Sequence, residues 1–269
     1  MKQIVLHGGV GNSSGSVEAL EKYATLSLNE KTPLDAVVAA VTYMEDDPNF
    51  NAGTGSAMRL DGSIQMDASC MMNGSFGAVI NIESVKNPVK VARDVMKQTN
   101  HCILSGDGAV TFARKMGYPF YDPSTDKSRK KLEKLKEIAA KDDRYRFSRE
   151  VATDTVGAVA DFNGVVASAL STGGNGKIPM LRGRVGDTPI PGAGILVMDE
   201  FGIAATGGGE EIIRKMLSYR LFSKRESLQE EWKLIAEKAE VSLGVIGFNH
   251  GMPFSFSNRP MPYWYAKGV

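Results

Sequence analysis

Cysteine, histidine and tryptophan are scarce in this chain, with 2, 3 and 2 copies among 269 residues. Cys70 and Cys102 are too few for a disulfide framework and stand at no metal-ligand spacing, so they read as buried free thiols in a reducing compartment. His7, His101 and His250 form no triad pattern. A surplus of one charge sign is also missing: 32 basic and 31 acidic residues leave a formal charge of +1, which gives no global argument for nucleic acid or membrane surfaces. No apolar run is long enough to span a bilayer. The first residues reach His7-Gly8-Gly9 without the apolar core of a signal peptide, so cytoplasmic location is the expectation. What remains is ordinary for a soluble globular domain, with 42% hydrophobic and 23% charged residues. The 13 methionines read mostly as core filler.

Periodicity and turn chemistry organise the chain. Ile4-Val5-Leu6 reads as a strand running into glycines. Residues 16–30 read as an amphipathic helix capped at Ser16, and Thr32-Pro33 opens a second helix that closes near Asp46-Asp47-Pro48. Strand-like pieces follow at Ala57–Leu60, Ser63–Asp67 and Gly77–Ile82, the first two around an Asp61-Gly62 hairpin turn. Helices are expected from Pro88 to Met96, from Asp107 to Met116 and over residues 127–140. Beyond Thr155 come Val156–Asp161 and Val165–Ser171 around Asn163-Gly164, then Gly194–Asp199 and Gly202–Thr206. Helices Glu210–Leu221 and Leu228–Lys238 precede a last hairpin around Asn249-His250-Gly251. Strands arranged in hairpins, rather than alternating singly with helices, favour antiparallel sheets in an α+β fold. Between Lys127 and Glu150, ten Lys/Arg are interrupted by five Asp/Glu. This is the composition of a solvated helix and linker spanning 123–154, not of a one-sided nucleic-acid arm.

Chemistry concentrates in one span. Thr155 stands where the solvated linker meets a buried strand. Ser171-Thr172-Gly173-Gly174, Gly183-Arg184-Val185-Gly186-Asp187 and Thr206-Gly207-Gly208-Gly209-Glu210 follow. By itself Thr155 is an ordinary β-branched residue at a strand start, and each of the other pieces is a common turn or surface pair. Together they offer a hydroxyl, glycine turns, a fixed cation with an anion three residues on, and a second threonine-glycine turn. Such a site can attack a carbonyl and hold a zwitterionic amino acid. A threonine hydroxyl is a weak nucleophile without a base in reach. A free α-amino group on Thr155, with a pKa of about 8, would serve.

These motifs, with His7-Gly8-Gly9-Val10-Gly11, the run Asp46–Ser56, Asp61-Gly62 and Met66-Asp67-Ala68, resemble the plant-type asparaginase and isoaspartyl peptidase family of N-terminal-nucleophile hydrolases. The resemblance covers most of the chain and is looser over 123–150 and the last forty or so residues. It implies a single domain of four αββα layers, 1–269. It also implies self-cleavage between Asp154 and Thr155 into an α chain (1–154) and a β chain (155–269), and a dimer of such αβ units. Aspartate before the nucleophile departs from the glycine usual in the plant-type enzymes and matches the related aspartylglucosaminidases and taspase.

By the same resemblance Thr155 is the nucleophile, Thr172 orients it, and Thr206 with the Gly207 N–H forms the oxyanion hole. Arg184 and Asp187 grip the carboxylate and ammonium of the substrate head group, and Gly207 and Gly209 line that pocket. Asn51 supports the nucleophile. Met44, Glu45, Asp47, Phe50, Ala52 and Thr54 match positions whose backbone carbonyls hold a structural sodium ion; no other cofactor is implied. The implied activity is hydrolysis of the asparagine side-chain amide and of β-aspartyl peptides. A glycosylasparaginase and an uncleaved, non-catalytic relative remain as alternatives. The C-terminal aromatics around Tyr263-Trp264-Tyr265 are expected at an interface or over the site mouth.

Overall fold

The computed structural model describes residues 1–11, 16–141 and 155–268; Asp154 and the rest of the segment ending there lie outside the described residues. Strand β1 (Lys2–His7) leads to helices α1 (Val17–Ser27) and α2 (Pro33–Asp46). The Ser16 and Thr32 hydroxyls accept from the backbone N–H groups of Ala19 and Asp35, so both helices start where the cap chemistry dictates. Next come β2 (Met66–Met72), β3 (Ser75–Ile82), α3 (Pro88–Gln98), β4 (Ile103–Ser105), α4 (Gly106–Lys115) and α5 (Asp126–Ala139). The second half holds β5 (Val156–Phe162), β6 (Val165–Thr172), β7 (Ile195–Met198), β8 (Phe201–Gly207), α6 (Gly209–Lys215), α7 (Leu217–Ser223), α8 (Leu228–Glu237), β9 (Leu243–Asn249), β10 (Met252–Ser257) and β11 (Tyr263–Lys267).

A seven-stranded sheet, in the order β11-β1-β5-β6-β2-β3-β4, stacks on a four-stranded sheet, β10-β9-β8-β7. Every pairing is antiparallel except β3 with β4. Three apolar cores divide the layers. Val5, Val159, Val166, Leu170, Ile195, Ile246 and Phe248 fill the space between the sheets. Helices α1 to α4 cover the outer face of the large sheet through residues such as Leu20, Val37, Val41 and Val95. Leu217, Leu221, Trp232 and Ile235 of α7 and α8 cover the small sheet. This is the α+β, four-layer αββα sandwich. Strands β5 and β6, buried on both faces, lie at its centre and carry the Thr155 and Thr172 ends.

Several expectations need correction. Residues 57–65 form no strand pair. Arg59 N–H donates to the Ser63 carbonyl and Gly62 N–H to the Arg59 carbonyl, which closes a tight turn without a ladder. The helix expected over Glu210–Leu221 is broken at Met216, whose φ of 46° is left-handed and ends α6 before α7 begins. The C-terminal aromatics, for which the sequence suggested no strand, form β11 at the edge of the large sheet beside β1. Cys70 is buried, but Cys102 is exposed. In α5 the bases do share one side: Lys127, Lys130, Lys131 and Lys134 lie together, while Leu132 and Leu135 face inward and Lys136 pairs with Glu133.

Candidate active site

The β5–β6 ladder ends with Val156 opposite Ser171, so Thr155 and Thr172 come next, facing each other at the strand ends. Both are almost fully enclosed. The Thr172 hydroxyl accepts from the Gly174 N–H at 3.0 Å. Asn51 ties the 173–174 turn at two points and itself to Ala57 at a third. Its backbone carbonyl accepts from Gly173 N–H at 2.8 Å, its amide nitrogen donates to the Gly174 carbonyl at 2.6 Å, and its amide oxygen accepts from Ala57 N–H at 2.8 Å. A Cβ on Gly173 would stand 2.4 Å from Ser56 and 2.6 Å from the Asn51 amide oxygen, so only glycine permits this approach.

The loop after β1 joins the two sheets. His7 pairs in register with Gly157, and its ring faces the Thr155 backbone. Neither ring nitrogen reaches full hydrogen-bond geometry with a partner among the described residues. Burial drives the imidazole down to about 3, so it is neutral throughout the working pH range and offers no charge to a reaction. Three residues on, Val10 N–H donates to the Thr206 hydroxyl at 3.4 Å. Thr206 is the penultimate residue of β8, and Gly207 ends the strand with a φ of 140°; a Cβ there would stand 2.2 Å from the Ser242 carbonyl oxygen. The chain thus turns at Gly207 in a way open to glycine, which carries Gly209 and Glu210 back toward Arg184.

Arg184, Asp187 and Gly209 meet in one place. A Cβ on Gly209 would lie 2.9 Å from Asp187 Oδ1 and 3.0 Å from Arg184 Nη2. Asp187 is buried, and its Oδ2 has no hydrogen-bond partner among the described residues. Burial pushes this carboxyl up to about 7. Arg184 is paired differently from the expectation. Its Nε and Nη2 donate to the two carboxylate oxygens of Glu210 at 2.9 and 3.0 Å, a bidentate contact, while Asp187 acts on it only at longer range. The 183–187 loop is tied to the ends of β5 and β6 by Asp67, which pairs with Thr172. A bulge in β2 aims the Asp67 carboxylate at the Asn81 and Gly186 N–H groups, at 2.8 and 3.4 Å.

Sequence reading passed over Arg59, Asp67 and Glu210. Asp67 and Glu210 stood inside quoted motifs without a role. Arg59 carried no signal at all, because its significance is its burial. The carbonyl loop behind Asn51 bends back on itself: Thr54 N–H donates to the Glu45 carbonyl at 2.8 Å and Phe50 N–H to that of Asp47 at 3.1 Å. The Glu45 side chain is fully buried; one oxygen accepts from Val89 N–H at the start of α3, and burial raises its acid to about 8.

Two stacked sheets between helical layers, with a threonine opening a central strand, are the architecture of the N-terminal-nucleophile hydrolases. A model of the asparaginase family matches residues 3–251, and the chain belongs to that family. It is 40% identical to a plant-type L-asparaginase of Pyrococcus furiosus and 43% identical to one of Pyrobaculum calidifontis, each alignment covering 99% of this chain and 97% of the relative. An isoaspartyl peptidase/L-asparaginase of Macaca fascicularis is 44% identical over 78% of this chain and 68% of its own length.

Proposed function

We propose that this protein hydrolyses the side-chain amide of L-asparagine and the isopeptide bond of β-aspartyl peptides, with Thr155 as nucleophile. The observation that carries the reading is the unpartnered Asp187 oxygen, buried across Gly209 from the Arg184 guanidinium. A buried carboxylate left without a donor is costly. An amino-acid head group supplies what each side lacks, an ammonium for Asp187 and a carboxylate for the free edge of Arg184. Thr155 and Thr172 are tied to this anchor through Asp67, so the side-chain carbonyl of the same ligand is presented to the hydroxyls.

In the proposed maturation, the Thr155 hydroxyl attacks the Asp154 carbonyl, an N→O acyl shift gives an ester, and water opens it to free the α-amine. In turnover that amine takes the hydroxyl proton as Oγ attacks the substrate amide, then delivers it to the leaving ammonia or amine. Water hydrolyses the β-aspartyl ester and aspartate departs. Thr206 and the Gly207 N–H would donate to the developing oxyanion, a role worth roughly 3–4 kcal/mol of barrier per donor.

The loop carrying Asn51 suits a sodium ion. Its curl brings residues 45 and 54 together, and each of the two bonded carbonyls keeps a second lone pair. Met44, Glu45, Asp47, Phe50, Ala52 and Thr54 would hold the ion through their carbonyls, where it would stiffen the loop. The αβ units are proposed to pair as a dimer, which light scattering would test. No helix among the described residues is long and apolar enough to cross a membrane.

The test of the reading is intact-mass analysis beside a Thr155→Ala control, followed by ammonia release from asparagine and amino-acid release from a β-aspartyl dipeptide. Two fragments meeting at Asp154–Thr155, with turnover of either substrate, are expected. A single uncut chain without turnover would overturn it. Turnover of glycosylasparagine alone would move the assignment to a glycosylasparaginase.

A further inference from the structure

Among the described residues, Arg59 is the largest side chain with no exposure at all. Its guanidinium makes no bidentate ion pair among the described residues. Its donors go to other segments of the chain: Nη1 to the Gly173 carbonyl at 3.4 Å and Met180 Sδ at 3.1 Å, and Nη2 to the carbonyls of Gln65 at 3.0 Å and Arg184 at 3.3 Å. Nε has no partner among the described residues. Asp67, Asp61 and Glu83 offset its charge from a distance, and although burial lowers its pKa to about 10, it is still a cation at neutral pH. Gly174 makes room for it: a Cβ there would stand 2.3 Å from Nη1.

A buried cation spent on main-chain carbonyls is a poor source of stability, since its desolvation outweighs such contacts and an apolar side chain often does as well. What the contacts do achieve is geometric. Gly173 directly follows Thr172, while Arg184 is the head-group anchor. One rigid planar fork holds both carbonyls.

We infer that Arg59 is a positioning residue that fixes the distance between the Thr155–Thr172 corner and the Arg184–Asp187 anchor, and thereby selects β-aspartyl amides over γ-glutamyl amides, which are one methylene longer. The inference rests on the assignment of those four residues proposed above. A fixed span presents the carbonyl of one acyl length to the hydroxyl and misplaces the next. A displacement of about 1 Å at a reacting centre costs on the order of 100-fold in rate.

The experiment uses the processed protein, with N-terminal Thr155 counted by mass spectrometry. It compares the parent with Arg59→Met and Arg59→Lys for kcat and KM on L-asparagine and L-glutamine, and for the Kd of L-aspartate. For Arg59→Met we expect aspartate affinity within about threefold of the parent, because the anchor residues are intact, with kcat on asparagine down about 100-fold. The glutamine-to-asparagine kcat/KM ratio should rise at least about tenfold, with partial recovery in Arg59→Lys. Parental kinetics, or a loss shared equally by aspartate binding and both substrates, would overturn the inference. Should neither variant mature, Met180→Leu removes one acceptor and leaves Arg59 in place. It should shift the substrate ratio in the same direction, and an unchanged ratio would overturn the inference. The anchor assignment fails separately, if Arg184→Ala leaves aspartate affinity unchanged.

Discussion

The corner around Thr155 and the anchor around Arg184 are built on opposite physical terms. Around Thr155 the 173–174 turn is held chiefly by uncharged groups whose hydrogen bonds are spent: Asn51 uses its carbonyl, its amide oxygen and its amide nitrogen, and the Thr172 hydroxyl holds Gly174. Around Arg184 the groups are charged and incompletely matched, with Asp187 Oδ2 unpartnered and Arg184 already engaged by Glu210. A turn fixed by spent hydrogen bonds has one arrangement, which suits a nucleophile that must be preorganised. A charged site with an open valence gains most when its ligand arrives. The contrast predicts that changes at the corner lower kcat, whereas changes at the anchor raise KM.

The largest break is Thr155→Ala. In the proposed mechanism, loss of the hydroxyl leaves neither maturation nor turnover a nucleophile. The chain should stay in one piece on a denaturing gel, and activity should fall by on the order of 10⁴-fold or more. Thr155→Ser keeps the hydroxyl and should mature into two chains. Any comparable loss of binding, measured as aspartate affinity on processed protein, would contradict the division of labour.

Arg184→Met comes next. Removing charge-assisted hydrogen bonds to a carboxylate should raise KM for asparagine about 10- to 100-fold, with kcat much less affected. Asp187 adds a pH signature. Its folded pKa of about 7 lies above the ordinary carboxylate value, so its protonated form is the stable one in the free protein below neutrality. The stability this gives the free protein is full below the unfolded pKa of about 4 and is lost as pH rises through 7. A substrate ammonium favours the opposite form. KM should therefore rise about tenfold per unit as pH falls below 7, and aspartate should raise the Tm more at pH 8 than at pH 6. Asp187→Asn should raise KM and flatten that pH dependence, which steady-state kinetics across pH 5.5–8.5 would check.

The same contrast explains what could be read from the sequence. The helices were legible because Ser16, Thr32 and Pro33 carry start signals local to the chain, and the β5–β6 hairpin because Asn163-Gly164 supplies two left-handed positions, with φ of 55° and 85°. The corner residues lay in glycine-marked motifs, since close backbone approach needs glycine and glycine is visible. The partners of the charged groups were not legible. Arg184 and Asp187 are three residues apart and invited pairing, yet the fold brings in Glu210 from the far side of β8 to take the guanidinium. Strand β11 was hidden because its alternation of exposed and half-buried residues belongs to a short edge strand. Arg59 was hidden because most of its partners, Gly173, Met180 and Arg184, stand 114 to 125 residues further along the chain.

Glu210→Gln is the smallest and most discriminating change. The Glu210 side chain is half exposed, so solvent screens the pair and its removal should cost the fold little. Its carboxylate occupies the Nε–Nη2 edge of Arg184 and leaves Nη1 as the edge for a ligand. If that contact only aims the guanidinium, the amide variant keeps one acceptor and KM should rise two- to threefold or so. If Glu210 instead stands where the substrate carboxylate must go, weakening it lowers KM by a similar factor, and the Arg184 anchor is a displaced internal pair. Aspartate titrations of parent and variant at pH 8, where Asp187 is ionised in both, read the sign directly. The aiming role is expected, because the bidentate pair fixes the rotation of a planar group whose remaining edge then points one way.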